Sequence, residues 1–410
     1  MNLVAVNIET IRIGSPLPFA LRAENGTLLA RKGFVVDSRD HLVAIRGMGL
    51  DFYVDAAESE SQQRAFVGKL HELVRDERPL GKIADAKLTT SDLSSVRADT
   101  TAAASDWLDL QEQCNVLLRD QHPARFPERL DRLLGELERH SLRNPDGTLF
   151  ALIYLSSSEL RMYSATHAML VSVICGLAAR EVLHWSAEEQ ATLRQAALTM
   201  NIGMATLQDR LAYQPEPPNP AQRQQINEHV EQSIAMLMQR GVTDLAWLEA
   251  VRHHHTNAPG PLQNRTTGLR MARLIQRADM FAARLAPRAS RLPTSPGAAM
   301  QATYFDENRQ IDEAGAALIK AVGIYQPGSF VRLATDEIAL VVRRGKNTTT
   351  PRVAVVANRT GMPTGEHVIR DTSLRDHRII SSVARRDVKI QINLERFLPL
   401  TAAPSSRRFG

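Results

Sequence analysis

The sequence predicts a mainly α protein: a helical bundle preceded by a small β-rich module and followed by a C-terminal β-hairpin extension. Three observations predict it. From residue 106 to residue 323 apolar residues recur at helical spacing, as in Leu130, Leu133, Leu134 and Leu137, which share one helix face. Near the start, Asn25-Gly26 separates the short apolar runs PLPFALR and TLLARKG, the pattern of a hairpin turn. After Gly323 the period changes, and SFVRLA, EIALVVRR and RVAVVAN alternate or run apolar over strand-length spans.

In chain order, residues 1–56 form the β-rich module, with a short helix over 38–46 and a strand at DFYVD. Residues 57–105 form a connector with one helix over 62–76. Its second half, LTTSDLSSVRADTTAAASD, is too poor in apolar residues to bury a face and is expected to be mobile. Residues 106–323 are the helical domain, with helices expected over 157–182, 187–199, 220–240, 244–255, 268–286 and 308–322. Pro215, Pro217, Pro218 and Pro220 interrupt the chain ahead of the third of these. Residues 324–400 are the β-rich extension, closed by a strand at DVKIQINL, and 401–410 a disordered tail.

Composition sets the class. The 410 residues carry 43% hydrophobic and 23% charged side chains, as ordinary globular proteins do. No apolar run reaches the ~20 residues that span a bilayer, and MNLVAVNIETIRIG lacks the regions of a signal peptide. Cys114 and Cys175 show no metal spacing, so a reduced, cytoplasmic chain is expected. The net charge of +5 is unevenly placed. Seven arginines and one acid, Asp279, fall between residues 257 and 305, and nine basic residues against four acids follow from residue 370. Such excess suits a phosphate-bearing ligand or an acidic partner. A nucleic-acid role is not expected, because no aromatic platform accompanies the arginines.

The chemistry-bearing residues cluster around LTMNIGM, residues 198–204, whose Ile-Gly pair suits a tight buried turn. His167 precedes it in YSATHAMLVSVICGLA. After it come His229 in INEHVEQSIAML, His254 and His255 in AVRHHHTN, and Asp279 in LIQRADMFAARL. Histidines and carboxylates from several helices can converge on metal ions in a bundle core, and such ions activate water against phosphodiesters. One histidine on an apolar helix face is more often an ordinary core residue; five positions in order are a pattern.

Over residues 149–356 that pattern resembles the HD-GYP family, metal-dependent phosphodiesterases of cyclic di-GMP. The resemblance implies an HD-GYP-like bundle in which His167, His229, His254, His255 and Asp279 correspond to metal ligands. Met200 and Asn201 stand where the family's His-Asp pair would be, and Met204 where a lysine usually closes the motif. NAPGPLQN keeps only Gly260-Pro261 of the GYP loop. Methionine is a soft ligand and asparagine carries no charge, so a bridged cluster of hard cations is not expected there. No intact catalytic set remains. What survives allows one divalent metal (iron, manganese or zinc) or none. Arg273, Arg277 and Arg288 are candidates for phosphate contacts, since guanidinium forks bind phosphate in pairs of hydrogen bonds. The implied function is a catalytically impaired sensor, regulator or scaffold in cyclic di-GMP signalling. The alternative is a phosphodiesterase with an altered metal site. The expected partners are cyclic di-GMP and a protein bound through the N-terminal module or the basic C-terminal tail.

Overall fold

The computed structural model describes residues 3–5, 17, 20–23, 28–30, 34, 52–55, 102–120, 125–158, 160–289, 293–390 and 392–402. The chain divides into two compact units, Met1–Glu112 and Gln113–Gly410. The expected helices at 38–46 and 62–76, the Asn25-Gly26 turn itself and residues 403–410 lie outside the described residues.

In the first unit four short strands form an antiparallel sheet. They are β1 (Leu3–Ala5), β2 (Leu21–Arg22), β3 (Leu28–Ala30) and β4 (Tyr53–Asp55), in the order β1-β4-β2-β3. Leu21 pairs with Ala30, so the two runs that flank Asn-Gly do lie side by side. Leu21 and Val54 are fully buried. Helix α1 (Ala102–Arg119) contains the boundary between the units.

The second unit is a helical bundle. On α2 (Phe126–Arg143) the stripe Leu130, Leu133, Leu134 and Leu137 is buried, as its spacing requires. The helix expected over 157–182 starts later than that. Residues 157 and 158 end α3 (Pro145–Ser158), and α4 (Tyr163–Glu181) begins after Met162, whose φ of 53° is left-handed. Asp209 enforces the break, because its carboxylate accepts from the Ser164 backbone N–H at 2.6 Å and caps the new helix. Both α3 and α4 are apolar nearly all round and are correspondingly central.

Helix α5 (Ala187–Thr199) starts on a capping box, with Ser186 and Glu189 each bonding the other's backbone N–H. A 3₁₀ turn, Ile202–Met204, leads into α6 (Ala205–Tyr213). After the prolines, α7 (Pro220–Gln239) starts on a second box formed by Asn219 and Gln222, with Pro220 in the first turn. Asp244 caps α8 (Leu245–His253) and Thr266 caps α9 (Thr267–Leu285). A short α10 (Pro296–Gln301) and α11 (Glu313–Val322) complete the bundle. Helix α11 begins later than residue 308. Residues 305–311 instead close a turn through a Phe305–Ile311 bridge, with Asp306 accepting from the N–H groups of Asn308 and Gln310.

The C-terminal extension is larger than a hairpin. Strands β5 (Phe330–Leu333), β6 (Ile338–Arg343), β7 (Arg352–Ala357), β8 (Ile369–Asp371) and β9 (Ile379–Val383) form one antiparallel sheet in the order β8-β7-β6-β5-β9. DVKIQINL is not a strand. It follows a 3₁₀ turn and enters α12 (Leu394–Thr401), where Phe397 stacks on Phe150 of α3. Its alternating valine and isoleucines mimic a strand, but Val388 and Ile392 are buried without joining the ladder. The sheet meets the bundle at Gly328, with φ +89°, where any Cβ would lie 2.7 Å from the Phe150 carbonyl.

A buried ionic knot joins α9 to α11. Asp312 Oδ1 caps α11 through the Gly315 N–H at 2.8 Å, while its Oδ2 accepts from Arg273 Nε at 2.9 Å and from Arg277 at 3.3 Å. Glu307 accepts from both arginines at 2.9–3.0 Å. The Arg273, Arg277 and Asp312 side chains are only 2–3% exposed. A buried charge stripped of its partner typically costs about 3–5 kcal/mol. Arg273→Ala should therefore lower unfolding free energy by about that much, measured by urea denaturation. A loss under about 1 kcal/mol, the level of an exposed pair, would show the knot to be solvent-screened.

Candidate metal centre

Three imidazoles converge from two helices. His229 lies in the middle of α7, and His254 and His255 follow directly on the last residue of α8. Their ligand nitrogens all lie within 4.8 Å of one another, and ring centroids are 4.0–5.5 Å apart. His229 and His254 are buried and His255 is exposed.

Tautomer and aim are set by the helices themselves. His229 Nδ1 donates to the Ile226 carbonyl at 2.6 Å, and His254 Nδ1 donates to the Val251 carbonyl at 2.6 Å. With the proton on Nδ1, each Nε2 carries a free lone pair, and both Nε2 atoms are buried without a partner. This is how metal-binding histidines are usually oriented by their surroundings. Burial, with His255 next in importance, pushes His254 down to about 3, and burial also lowers His229. Both rings are thus neutral at ordinary pH, the form a cation needs. The donor set, three imidazole nitrogens with two orphaned and buried, fits one divalent ion, and zinc or iron suits it.

The LTMNIGM turn builds this site from outside it. Gly203 lies so close to α7 that a Cβ would be 2.8 Å from the His229 carbonyl and 2.7 Å from the Ser233 nitrogen. Its N–H donates to Ser233 Oγ at 3.0 Å. On the other side Trp247 Nε1 donates to Thr199 Oγ1 at 2.9 Å, and Thr192 Oγ1 donates to Asp244 at 3.1 Å. Helices α7 and α8, the bearers of the trio, are therefore both registered on the end of α5.

His167 and Asp279 are brought together with each other. His167 Nε2 donates to Asp279 Oδ1 at 2.7 Å between α4 and α9, and the imidazole stacks on Tyr163. Burial alone would raise the Asp279 carboxyl, but the hydrogen bond and charge of His167, followed by His254 and His255, hold it at about 2. Asp279 lies outside the converging set. Met200 is buried, and Asn201 Oδ1 is buried with no partner; both line a small cavity with His167, Ser164 and Gln208. Met204, half-buried, ends the 3₁₀ turn.

The arginine candidates lie elsewhere than expected. Arg273 and Arg277 are consumed by Asp312 and Glu307 inside the fold, so their forks are not open to a phosphate. Four residues apart on α9, the two guanidiniums meet the start of α11 instead of facing a ligand. Arg288 donates to the Tyr163 hydroxyl at 2.6 Å and lies over its ring. Sequence reading missed Gly203–Ser233 and the acidic partners Asp312 and Glu307. Asp312 had a local signal, as an aspartate three residues before the glycine of a helix start.

Residues 152–315 match a protein-family model described as the HD domain. A solved structure, the HDG"Y"P protein Bd1817 from Bdellovibrio bacteriovorus, is similar at 14% identity over 77% of this chain and 98% of that one, with a TM-score of 0.39. That likeness is too slight to bear on the site. No curated protein matches the sequence. Among the described residues no helix is long and apolar enough to cross a membrane.

Two outcomes follow from the geometry. Gly203→Ala must push α7 away, and overpacking of this kind costs about 1–3 kcal/mol; chemical denaturation of the variant measures it, and an unchanged midpoint would mean that α7 gives way freely. The second concerns pH in the metal-free protein. An unfolded chain protonates its histidines below about 6.5, whereas folded His254 resists until about 3. Between those values the unfolded state binds more protons, so stability falls as pH drops through 6.5. Melting temperatures at pH 7.5 and 5.0 should show the decline, and His254→Asn should flatten it.

Proposed function

We propose that this chain, an HD-domain and HD-GYP-like protein over residues 152–315, holds a single divalent metal on His229, His254 and His255. We further propose that it serves cyclic di-GMP signalling as a regulator or scaffold without hydrolysing the dinucleotide. One observation carries the reading. Of the five positions that correspond to metal ligands, three converge on one point, while His167 and Asp279 pair with each other outside that set. Met200 and Asn201, at the place of the bridging carboxylate, offer no negative charge to hold a second cation.

In this reading His229 and His254 grip from the interior, each locked by its own helix carbonyl, and His255 closes the set from the solvent side. A bound divalent ion would supply Lewis acidity and lower the pKa of an attached water. Asp279 is kept as a carboxylate by the hydrogen bond and charge of His167 against the effect of burial. The commitment of Arg273 and Arg277 to internal ion pairs removes two phosphate contacts, which favours a docking role over recognition of the dinucleotide. The second reading, a phosphodiesterase with an altered metal site, is favoured by the exposure of His255, which gives solvent and ligands a way to the trio.

Elemental analysis after purification without chelators should find about one equivalent of metal, lost in His254→Ala. Incubation of cyclic di-GMP with the protein and added Mn²⁺ or Fe²⁺ should give no linear product. Two or more tightly held metals, or turnover that His254→Ala abolishes, would replace this reading with the second.

A further inference from the structure

Helix α8 ends at His253, so the two histidines after it sit where backbone carbonyls have lost their helical partners. His254 still has its own ring bond to Val251. Among the described residues no hydrogen bond holds the His255 ring, which is exposed and lies against the rings of His229 and His254. Its direction is therefore set by the backbone that follows. That backbone is clamped from α9: Gln276 Nε2 donates to the Thr256 carbonyl at 3.2 Å and reaches Asn257 Oδ1 at 3.4 Å.

The Gln276 amide cannot turn round. Its Oε1 accepts from Arg273 NH1 at 2.7 Å, and a guanidinium can only donate, so the NH₂ must face the loop. Arg273 in turn is fixed by Asp312 and Glu307. Gln276 is buried and lies one helical turn before Asp279 on α9. A continuous line of directed bonds runs from the cap of α11 to the Thr256–Asn257 peptide, directly after His255.

We propose that Gln276, oriented by Arg273, is the positioning residue of the metal centre, holding the Thr256 peptide so that His255 completes the trio for a divalent cation. This rests on the reading of the trio as a metal site. Nothing in it requires Gln276 to touch the ion; it acts on affinity through His255.

The test is a Zn²⁺ titration of the full chain against a competing chromophoric chelator, for wild type, Gln276→Glu and Gln276→Ala, with melting temperatures of the metal-free forms. Glutamate at 276 keeps an acceptor for Arg273 but has no N–H for Thr256, so it breaks the clamp and spares the ionic knot. Both variants should bind Zn²⁺ about 10–100-fold more weakly, while metal-free Gln276→Glu melts as wild type does. Wild-type affinity in Gln276→Glu would overturn the proposal. So would a fall in its metal-free melting temperature that accounts for the lost binding, since that is a folding defect. Failure of the wild type to take up Zn²⁺ would instead overturn the metal site itself, a result visible before any substitution is made.

Discussion

Asp312 uses its two oxygens for two different purposes, and much of the bundle's geometry follows from that division. One oxygen starts α11; the other receives two buried guanidiniums from α9. Removing charges from water is costly, and such an arrangement persists only where nearly every lone pair and N–H is used. Glu307, reaching in from the 305–311 turn, supplies what Asp312 cannot. The rotation of α9 about its axis is thereby fixed, and with it the direction in which Asp279, two residues after Arg277, leaves the helix toward His167.

Each of the three buried imidazoles has one nitrogen satisfied and the other bare: Nε2 of His167 donates to Asp279, while Nδ1 of His229 and of His254 donates to a helix carbonyl. An unmatched buried acceptor costs free energy, and a set of such acceptors pointing together is what a cation would relieve. Among the described residues His229 and His254 are gathered with a third imidazole and His167 is not, and that convergence separates the trio from the dyad.

Much of the bundle was legible from periodicity. Ala187–Thr199 begins and ends where it is expected, and the prolines ahead of α7 mark its start. The ordered histidines were legible as a set because chemistry restricts which residues can stand there. What sequence could not give was partnership across the fold. An arginine spaced for a surface face looks the same whether solvent, phosphate or a buried aspartate meets it, and Arg273 and Arg277 met the last. Short strands such as β8 and β9 carry too few residues for a period to show, and DVKIQINL has a strand's period without a strand's neighbours. The break at Met162 depends on Asp209, far along the chain.

The unequal burial of the three histidines also bears on the order of events that a metal at this site would follow. Two of them are sealed in the core and one stands at the surface, so a cation arriving from solvent would meet His255 before His229 or His254. Departure would run in reverse, with the outermost imidazole letting go first and a chelator able to take its place before the inner pair yields. Exchange would then be gated by the one ring just beyond the end of α8, and the lifetime of such an ion would depend on that ring, separately from how tightly the inner pair holds.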